Sequence, residues 1–166
     1  TLGDLKKYEE AITCYDRALE INQNDCDAWN NKGSALGDLK KYEEAITCYD
    51  RALEINPDYD AAWNNKGEVL HNQSKYEKAI DCYNKAIELN FKDKEVWYNK
   101  GNSLKSLIKY EEAITCYDKA LEIDFEYVPA LYNKGKVLKS QSKYKEANIY
   151  YNKVLEIDPE YRDNGK

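Results

Sequence analysis

The chain carries two patterns of apolar and small positions, and each has the spacing of one helix face. In the first pattern the shared face follows the order i, i+3, i+4, i+7 and consists of Trp29, Lys32, Gly33 and Leu36. In the second pattern the face consists of Ala45, Ile46, Tyr49, Ala52 and Leu53. This periodicity predicts two amphipathic helices. The Lys-Lys-Tyr segment between them predicts a short turn.

The two-helix pattern recurs along the chain with a fixed period. Residues 2–22 reappear letter for letter as residues 36–56, an offset of 34 residues. The same step relates a column of glycines, Gly33, Gly67, Gly101 and Gly135. The period predicts whole units at 26–59, 60–93, 94–127 and 128–161. Residues 1–25 form a partial unit, mainly a second helix preceded by a remnant at 1–5, and residues 162–166 form a C-terminal stub.

Small residues indicate how the two helices of a unit pack. Gly33 inside a helix costs about 1 kcal/mol relative to Ala, so we expect the second helix to approach closely there. Trp29 and Tyr49 would fill the remaining volume. One helix pair cannot bury both apolar faces, whereas stacked neighbours can.

These residues resemble the tetratricopeptide repeat family, whose pattern is W-x2-L-G-x2-Y, then A-x3-F, then P, with a 34-residue period. The pattern is met by Trp29, Gly33, Ala45, Tyr49, Ala52 and Pro57. Lys32 and Leu36 depart from it, standing where the family often has Leu and Tyr. The resemblance covers nearly the whole chain. It implies an all-α fold, a right-handed superhelical solenoid of antiparallel helix pairs whose first helices line a concave groove, and a non-catalytic protein-interaction scaffold.

The groove predicted by the resemblance has an asparagine at the same position of every unit. An amide both donates and accepts, so it can hold a peptide backbone. With units ~10 Å apart and ~3.3 Å per extended residue, one asparagine could contact roughly every third residue. The candidate peptide-binding residues are Asn31, Asn65, Asn99, Asn133, Asn30, Asn64, Tyr98, Tyr132, Glu68, Asn102 and Lys136.

Two interpretations of this asparagine column stay open. It is similar to the peptide-binding asparagine ladder in the repeat arm of a glycosyltransferase, and that similarity favours a function. The duplication of residues 2–22 favours passive copying instead. The carboxylate clamp that some family members use is disfavoured, because its positions hold Asn30, Asn64 and Tyr98 rather than Lys or Arg.

The composition of the chain restricts the classes of partner that it could bind. With 31 acidic and 25 basic residues the net charge is −6, which disfavours binding to nucleic acid. RNA binding, by analogy with related helical repeats, is therefore a weak alternative. No apolar run approaches the ~18 residues of a membrane span. The stronger alternative is an arm that recruits protein substrates to a catalytic domain elsewhere in a longer protein. The chain has no initiator Met, so we expect it to be a fragment of such a longer protein.

The sequence offers little for catalysis or metal binding. Four of the five cysteines are copies of one column, expected ~10 Å apart, beyond the ~7 Å limit for a disulfide. There is no C-x2-C pair, one histidine, and no Gly-rich phosphate loop. We therefore expect no enzyme activity, no cofactor, no metal, and a reducing, cytoplasmic location.

The two ends of the predicted array are unlike and both lack a neighbour. The last second helix keeps Ala147, Tyr151 and Leu155 on a face that could receive another element. Unlike ends on one array predict head-to-tail self-association.

Overall fold

The structure, a computed structural model, describes residues 2–161, with side chains from Lys6 to Tyr161. Thr1 and the predicted stub, 162–166, lie outside the described residues. The described part is all-α, as predicted, with nine helices and no strand: α1 (Leu2–Ile21), α2 (Cys26–Asp38), α3 (Tyr42–Ile55), α4 (Asp60–Asn72), α5 (Tyr76–Leu89), α6 (Lys94–Ser106), α7 (Tyr110–Ile123), α8 (Val128–Ser140) and α9 (Tyr144–Ile157). The chain also divides into two compact units that are larger than the repeats, Thr1–Phe91 and Lys92–Lys166. They are called the first unit and the second unit.

Each complete hairpin is closed by the same turn. The residue after the C-cap of the first helix has positive φ, and the next backbone N–H returns to the helix, as in the bond from Lys41 N to Leu36 O at 2.9 Å. Such a bond is typical of a helix C-terminal cap in which a left-handed residue reverses the chain. The left-handed residues are Lys40, Ser74, Ile108 and Ser142, with φ between 59° and 62°.

A second recurrent turn leads from each second helix to the next first helix. The backbone N–H of Asp58 donates to Asn56 Oδ1 at 3.2 Å, which is an Asx turn. The indole N–H of Trp63 donates to Pro57 O at 2.9 Å. Trp29 makes the same bond to Gln23 O, also at 2.9 Å. The tryptophan therefore anchors this turn whether or not a proline is present.

The close approach predicted at the glycines is confirmed. A Cβ atom added to Gly67 would lie 2.6 Å from Cε1 of Tyr83, and the Tyr83 side chain is almost completely buried. A Cβ atom added to Gly33 would likewise lie 2.7 Å from Cε1 of Tyr49. The glycine column thus exists because a tyrosine ring from the second helix lies directly against the first helix.

Three of the four lysines in the column that departs from the family pattern form ion pairs with an aspartate of the preceding repeat. Lys66 Nζ on α4 lies 2.5 Å from Asp50 Oδ1 on α3 and 5.4 Å above the ring of Trp63. Lys134 on α8, only 8% exposed, pairs with Asp118 on α7. Burial lowers the pKa of Lys134, but its hydrogen bonds to Asp118 and Tyr150 outweigh that effect and raise it.

The N-terminal partial unit differs from the sequence prediction in one respect. Residues 2–5 were expected to be a remnant of a first helix, but they continue directly into α1, which runs unbroken from Leu2 to Ile21. In complete hairpins a break occurs at Lys40, whose left-handed backbone is unfavourable for a residue with a side chain. Packing of a full first helix against the second stabilises that break.

Candidate functional site

The four asparagines of the predicted ladder lie one on each first helix; Asn31 is exposed, and the other three are half-buried. Asn31 and Asn65 belong to α2 and α4 in the first unit, and Asn99 and Asn133 belong to α6 and α8 in the second. Each unit therefore presents a pair of asparagines on consecutive first helices.

In the first unit these amides also connect the helices to each other. Asn65 Nδ2 donates to Asn30 Oδ1 at 3.0 Å, and Asn30 Nδ2 donates to Asn31 Oδ1 at 3.5 Å. Asn30 is only 6% exposed. Asn30 therefore lies below the surface on which Asn31 and Asn65 are accessible.

In the second unit Asn133 is held more tightly. Its Nδ2 donates to Tyr98 Oη at 2.9 Å and to Pro129 O at 3.2 Å. Its Oδ1 accepts from Lys105 Nζ at 2.7 Å. These bonds fasten α8 to α6, so this amide has a structural role that its sequence position alone did not reveal.

A small polar cavity of about 110 Å³ opens beside Asn65. It is lined by Ser34, Gly37, Asp38, Tyr49, Asn65, Glu68, Val69 and Asn72. The Tyr49 hydroxyl donates to Ser34 Oγ at 3.3 Å, and burial raises the pKa of Tyr49 to about 12, so the hydroxyl stays neutral. Gly37 contributes no side chain, which leaves space between α2 and α4.

Two of the predicted ligand contacts, Tyr98 and Tyr132, sit in tyrosine clusters of the second unit. The Tyr98 ring centroid is 6.1 Å from that of Tyr117 and 5.6 Å from that of Tyr127. Lys136 Nζ lies 5.3 Å above the Tyr132 ring. Both Tyr98 and Tyr132 are half-buried.

The remaining predicted contacts lie on the same helices. Asn64 is half-buried and Glu68 exposed on α4. On α6, Asn102 Oδ1 accepts from the Tyr117 hydroxyl at 2.9 Å. The sequence did not predict that hydroxyls of buried tyrosines on second helices, Tyr49 and Tyr117, reach this polar surface. Their column spacing was visible, but the reach of each ring past a glycine is a packing result.

Metal binding and membrane insertion each require features of their own. Within them, no group of three or more His, Cys, Asp and Glu side chains is arranged to hold a metal ion. None of the described helices combines the length and apolarity that crossing a bilayer requires.

The chain was compared with known proteins. The profile of the tetratricopeptide repeat family matches residues 26–59, 61–93, 95–127 and 128–161, and a related TPR repeat profile matches residues 3–40. No curated protein sequence matches the chain.

Solved structures of MamA have a similar fold. One crystal structure of MamA superposes with a TM-score of 0.84 at 22% identity, covering 92% of this chain and 89% of the other. Residues 41 to the end of MamA from Desulfovibrio magneticus RS-1 give a TM-score of 0.84 at 24% identity, covering 92% and 86%. At this identity the likeness concerns the fold. Since the family profile matches four consecutive repeats and a related profile matches residues 3–40, the chain belongs to the tetratricopeptide repeat family.

Proposed function

We propose that this chain is a non-catalytic scaffold that binds a peptide segment of a partner protein over its first helices. The observation that carries the proposal is the polar cavity of about 110 Å³ beside Asn65. It combines amides, a hydroxyl and carboxylates on rigid helices, which is the donor and acceptor set that a peptide backbone and a polar side chain require. Repeat proteins of stacked helices commonly bind extended ligands along such a surface. A cytoplasmic location remains part of this proposal.

The charges of the surface favour a ligand with a basic side chain at this cavity. Asp38 and Glu68 line it, whereas the corresponding positions of the second unit, two periods later, include Lys105 and Lys136. A Lys or Arg side chain of the ligand would be attracted to the first unit and repelled from the second. Complementary charges of this kind set orientation and specificity more than raw affinity.

The asparagines contribute unequally in this proposal. An amide can form four hydrogen bonds, two as donor and two as acceptor. One N–H of Asn65 is committed to Asn30, while both N–H groups of Asn133 and one of its lone pairs are used within the second unit. We therefore expect Asn65 to contribute more to peptide binding than Asn133.

The proposal can be tested with a displayed library of 12-residue peptides selected on the whole chain. Peptides with a basic residue should be enriched, and Glu68→Lys should weaken the best peptide about tenfold because it reverses a charge at the cavity. The matched control is Glu54→Lys, the same charge reversal at an exposed residue of α3. Equal effects of the two changes, or no enrichment above background, would contradict the proposal.

The asparagine contacts need a separate variant. Asn65→Ala combined with Asn99→Ala should weaken peptide binding. The Asn65 change also removes the donor to buried Asn30, and a lost hydrogen bond of this kind costs about 1 kcal/mol. Urea unfolding of the variant should therefore accompany the binding measurement. A selected peptide that binds the folded double variant unchanged would exclude the asparagines as ligand contacts.

A further inference from the structure

The cavity of about 110 Å³ beside Asn65 has a counterpart in the second unit, where a lysine of the chain itself is present. Two periods separate the corresponding positions, so Gly37 corresponds to Lys105 and Asn65 corresponds to Asn133. In the second unit Lys105 Nζ donates to Asn133 Oδ1 at 2.7 Å. In the first unit Gly37 has no side chain, and none of the described residues donates to Asn65 Oδ1. The amide oxygen that accepts from a cation in one unit is therefore available to a ligand in the other.

The remaining hydrogen-bonding capacity of this cavity consists mainly of acceptors. The Tyr49 hydroxyl, on a side chain that is 2% exposed, donates to Ser34 Oγ at 3.3 Å, and its own lone pairs stay available. The Ser34 hydroxyl in turn donates to Asn30 O, and one N–H of Asn65 is committed to Asn30. An ionised carboxylate such as that of Asp38 only accepts. A ligand group that consists of donors would satisfy this set.

The charge of the cavity also differs from that of its counterpart. Asp38 and Glu68 line the cavity, whereas Ser106 and Lys136 stand at the corresponding positions of the second unit. Burial is the main reason that the pKa of Tyr49 is raised, and the negative charges of Glu68 and Asp38 add to it. The field of both carboxylates thus reaches the buried hydroxyl. A cation at this cavity gains an attraction that the second unit does not offer.

An arginine side chain matches these acceptors better than a lysine side chain. A guanidinium group carries five N–H donors in a planar fork and no acceptor, whereas an ammonium group has its three donors on one atom. The fork can form two parallel bonds to a carboxylate and direct its other N–H groups elsewhere. It is also more weakly hydrated than an ammonium group. Since the acceptors lie on both α2 and α4, a spread set of donors reaches more of them than a single nitrogen.

We propose that the cavity beside Asn65 is an arginine-binding site, in which the guanidinium group of a partner protein donates to the Asp38 carboxylate and to Asn65 Oδ1. This inference rests on the proposed function, because it names the side chain that the bound peptide inserts between α2 and α4. Dimethylation of the arginine keeps its charge but removes donors of the fork. Such a modification of the partner would therefore release it from this chain.

The test uses the whole chain, isotope-labelled for NMR, and three capped peptides that differ only in one central residue between alanine pairs. That residue is arginine, lysine or ω,ω-dimethylarginine. Because all three side chains carry one positive charge, the comparison separates recognition of the fork from simple attraction. With the arginine peptide, chemical-shift changes on α2 and α4 should saturate with a Kd of about 1 mM. The other two peptides should bind about five- to tenfold more weakly.

Matched variants of the protein locate the site. Gly37→Lys places a lysine at the position that Lys105 has in the second unit, and it should weaken the arginine peptide at least about tenfold. Thr47→Lys is the control, because it adds the same charge at an exposed residue of α3 that does not line the cavity. Asp38→Asn, which adds no bulk, should weaken the arginine peptide about fivefold. Circular dichroism should confirm unchanged helicity in all three variants.

Three outcomes would overturn the proposal. One is equal affinity for the arginine, lysine and dimethylarginine peptides. Another is an equal effect of Gly37→Lys and Thr47→Lys, and the third is the absence of saturable shifts with the arginine peptide up to about 20 mM. Peptides from the displayed library that bind the wild-type chain and Gly37→Lys alike would refute the arginine site alone. A library without any enrichment would refute peptide binding over the first helices as well.

Discussion

Replacing Gly67 by alanine tests the packing of the hairpin most sharply, because local and tertiary effects have opposite signs. In a helix interior, Gly→Ala normally stabilises by about 1 kcal/mol. In this chain the added Cβ would lie 2.6 Å from Cε1 of Tyr83, whereas carbon atoms pack at about 3.5–4.0 Å. The ring must retreat by about 1 Å, although Tyr83 is 1% exposed and has little room.

The magnitude follows from these two terms. Adding a methyl group to a close-packed core costs about 1–3 kcal/mol. Because Tyr83 has little room to retreat, the cost here lies in the upper part of that range, about 2–3 kcal/mol, and exceeds the gain in helix propensity of about 1 kcal/mol. We expect Gly67→Ala to lower the free energy of unfolding by about 1–2 kcal/mol. For a chain of this size that corresponds to a fall in Tm of about 2–8 °C.

The assay is urea unfolding followed by far-UV circular dichroism, with the change read from Cm at constant m. Gly37→Ala is the matched control, because its Cβ would meet only Val69 Cγ2 at 3.3 Å. It should leave stability unchanged within about 0.5 kcal/mol or raise it slightly. Gly135→Ala should cost less than Gly67→Ala, since Tyr151 is only half-buried.

A double-mutant cycle shows whether the ring is the cause. In the Tyr83→Leu background, Gly67→Ala should cost at least about 1 kcal/mol less than in the wild-type chain. The reasoning would be refuted if Gly67→Ala were as stable as wild type, or if the two substitutions were additive.

Three further predictions concern thiols, a half-buried ion pair and acid stability. Cys14 is exposed and should react with Ellman's reagent at once. Burial raises the pKa of three other thiols to about 11, so they should react only on unfolding: those of Cys48, Cys82 and Cys116. A single common reaction rate for all the thiols would contradict this. Asp118→Asn leaves Lys134 without its carboxylate and should cost about 1–3 kcal/mol in urea unfolding. Hydrogen bonds, first from Gln73, hold the pKa of Glu43 below its ordinary 4.5. Glu43 therefore stabilises the fold above that pH and loses this effect as the pH falls below it, so Glu43→Gln should flatten the acid limb of Tm against pH.

The helices and their pairing could be predicted because they depend on spacing that repeats. A 34-residue period with two helical faces per period leaves few alternatives to stacked hairpins. The cost of glycine in a helix likewise pointed to a close approach, and the contact between Gly33 and Tyr49 confirms it. These inferences rest on backbone geometry and volume, which the sequence specifies locally.

Features that depend on long side chains or on tertiary packing could not be predicted. Ile108 adopts a left-handed backbone that a β-branched residue disfavours, so only the packed hairpin explains it. The bond from Asn133 to Tyr98 joins residues 35 positions apart, and no periodicity predicts its partner. The continuity of α1 through residues 2–5 differs from the remnant of a first helix that the 34-residue period predicts there.

The sequence predicted on which helix face the candidate binding residues lie, but not which of them would be buried or hydrogen-bonded within the protein. The sequence placed Asn65 and Glu68 on one face of a helix, and both line the cavity. It did not predict that Asn30 would be buried beneath them, or that Tyr49 would reach Ser34. Burial depends on how far one helix lies over its neighbour, which helical angle alone does not give.

Photo-crosslinking of the best selected peptide tests the central claim most directly. A benzophenone group next to the basic residue of that peptide should form adducts, mapped by mass spectrometry, on α2 and α4 around Ser34, Asn65 and Glu68. Excess unlabelled peptide should suppress these adducts. Adducts confined to the exposed faces of second helices, such as that bearing Glu54, would contradict a scaffold that binds peptides over its first helices.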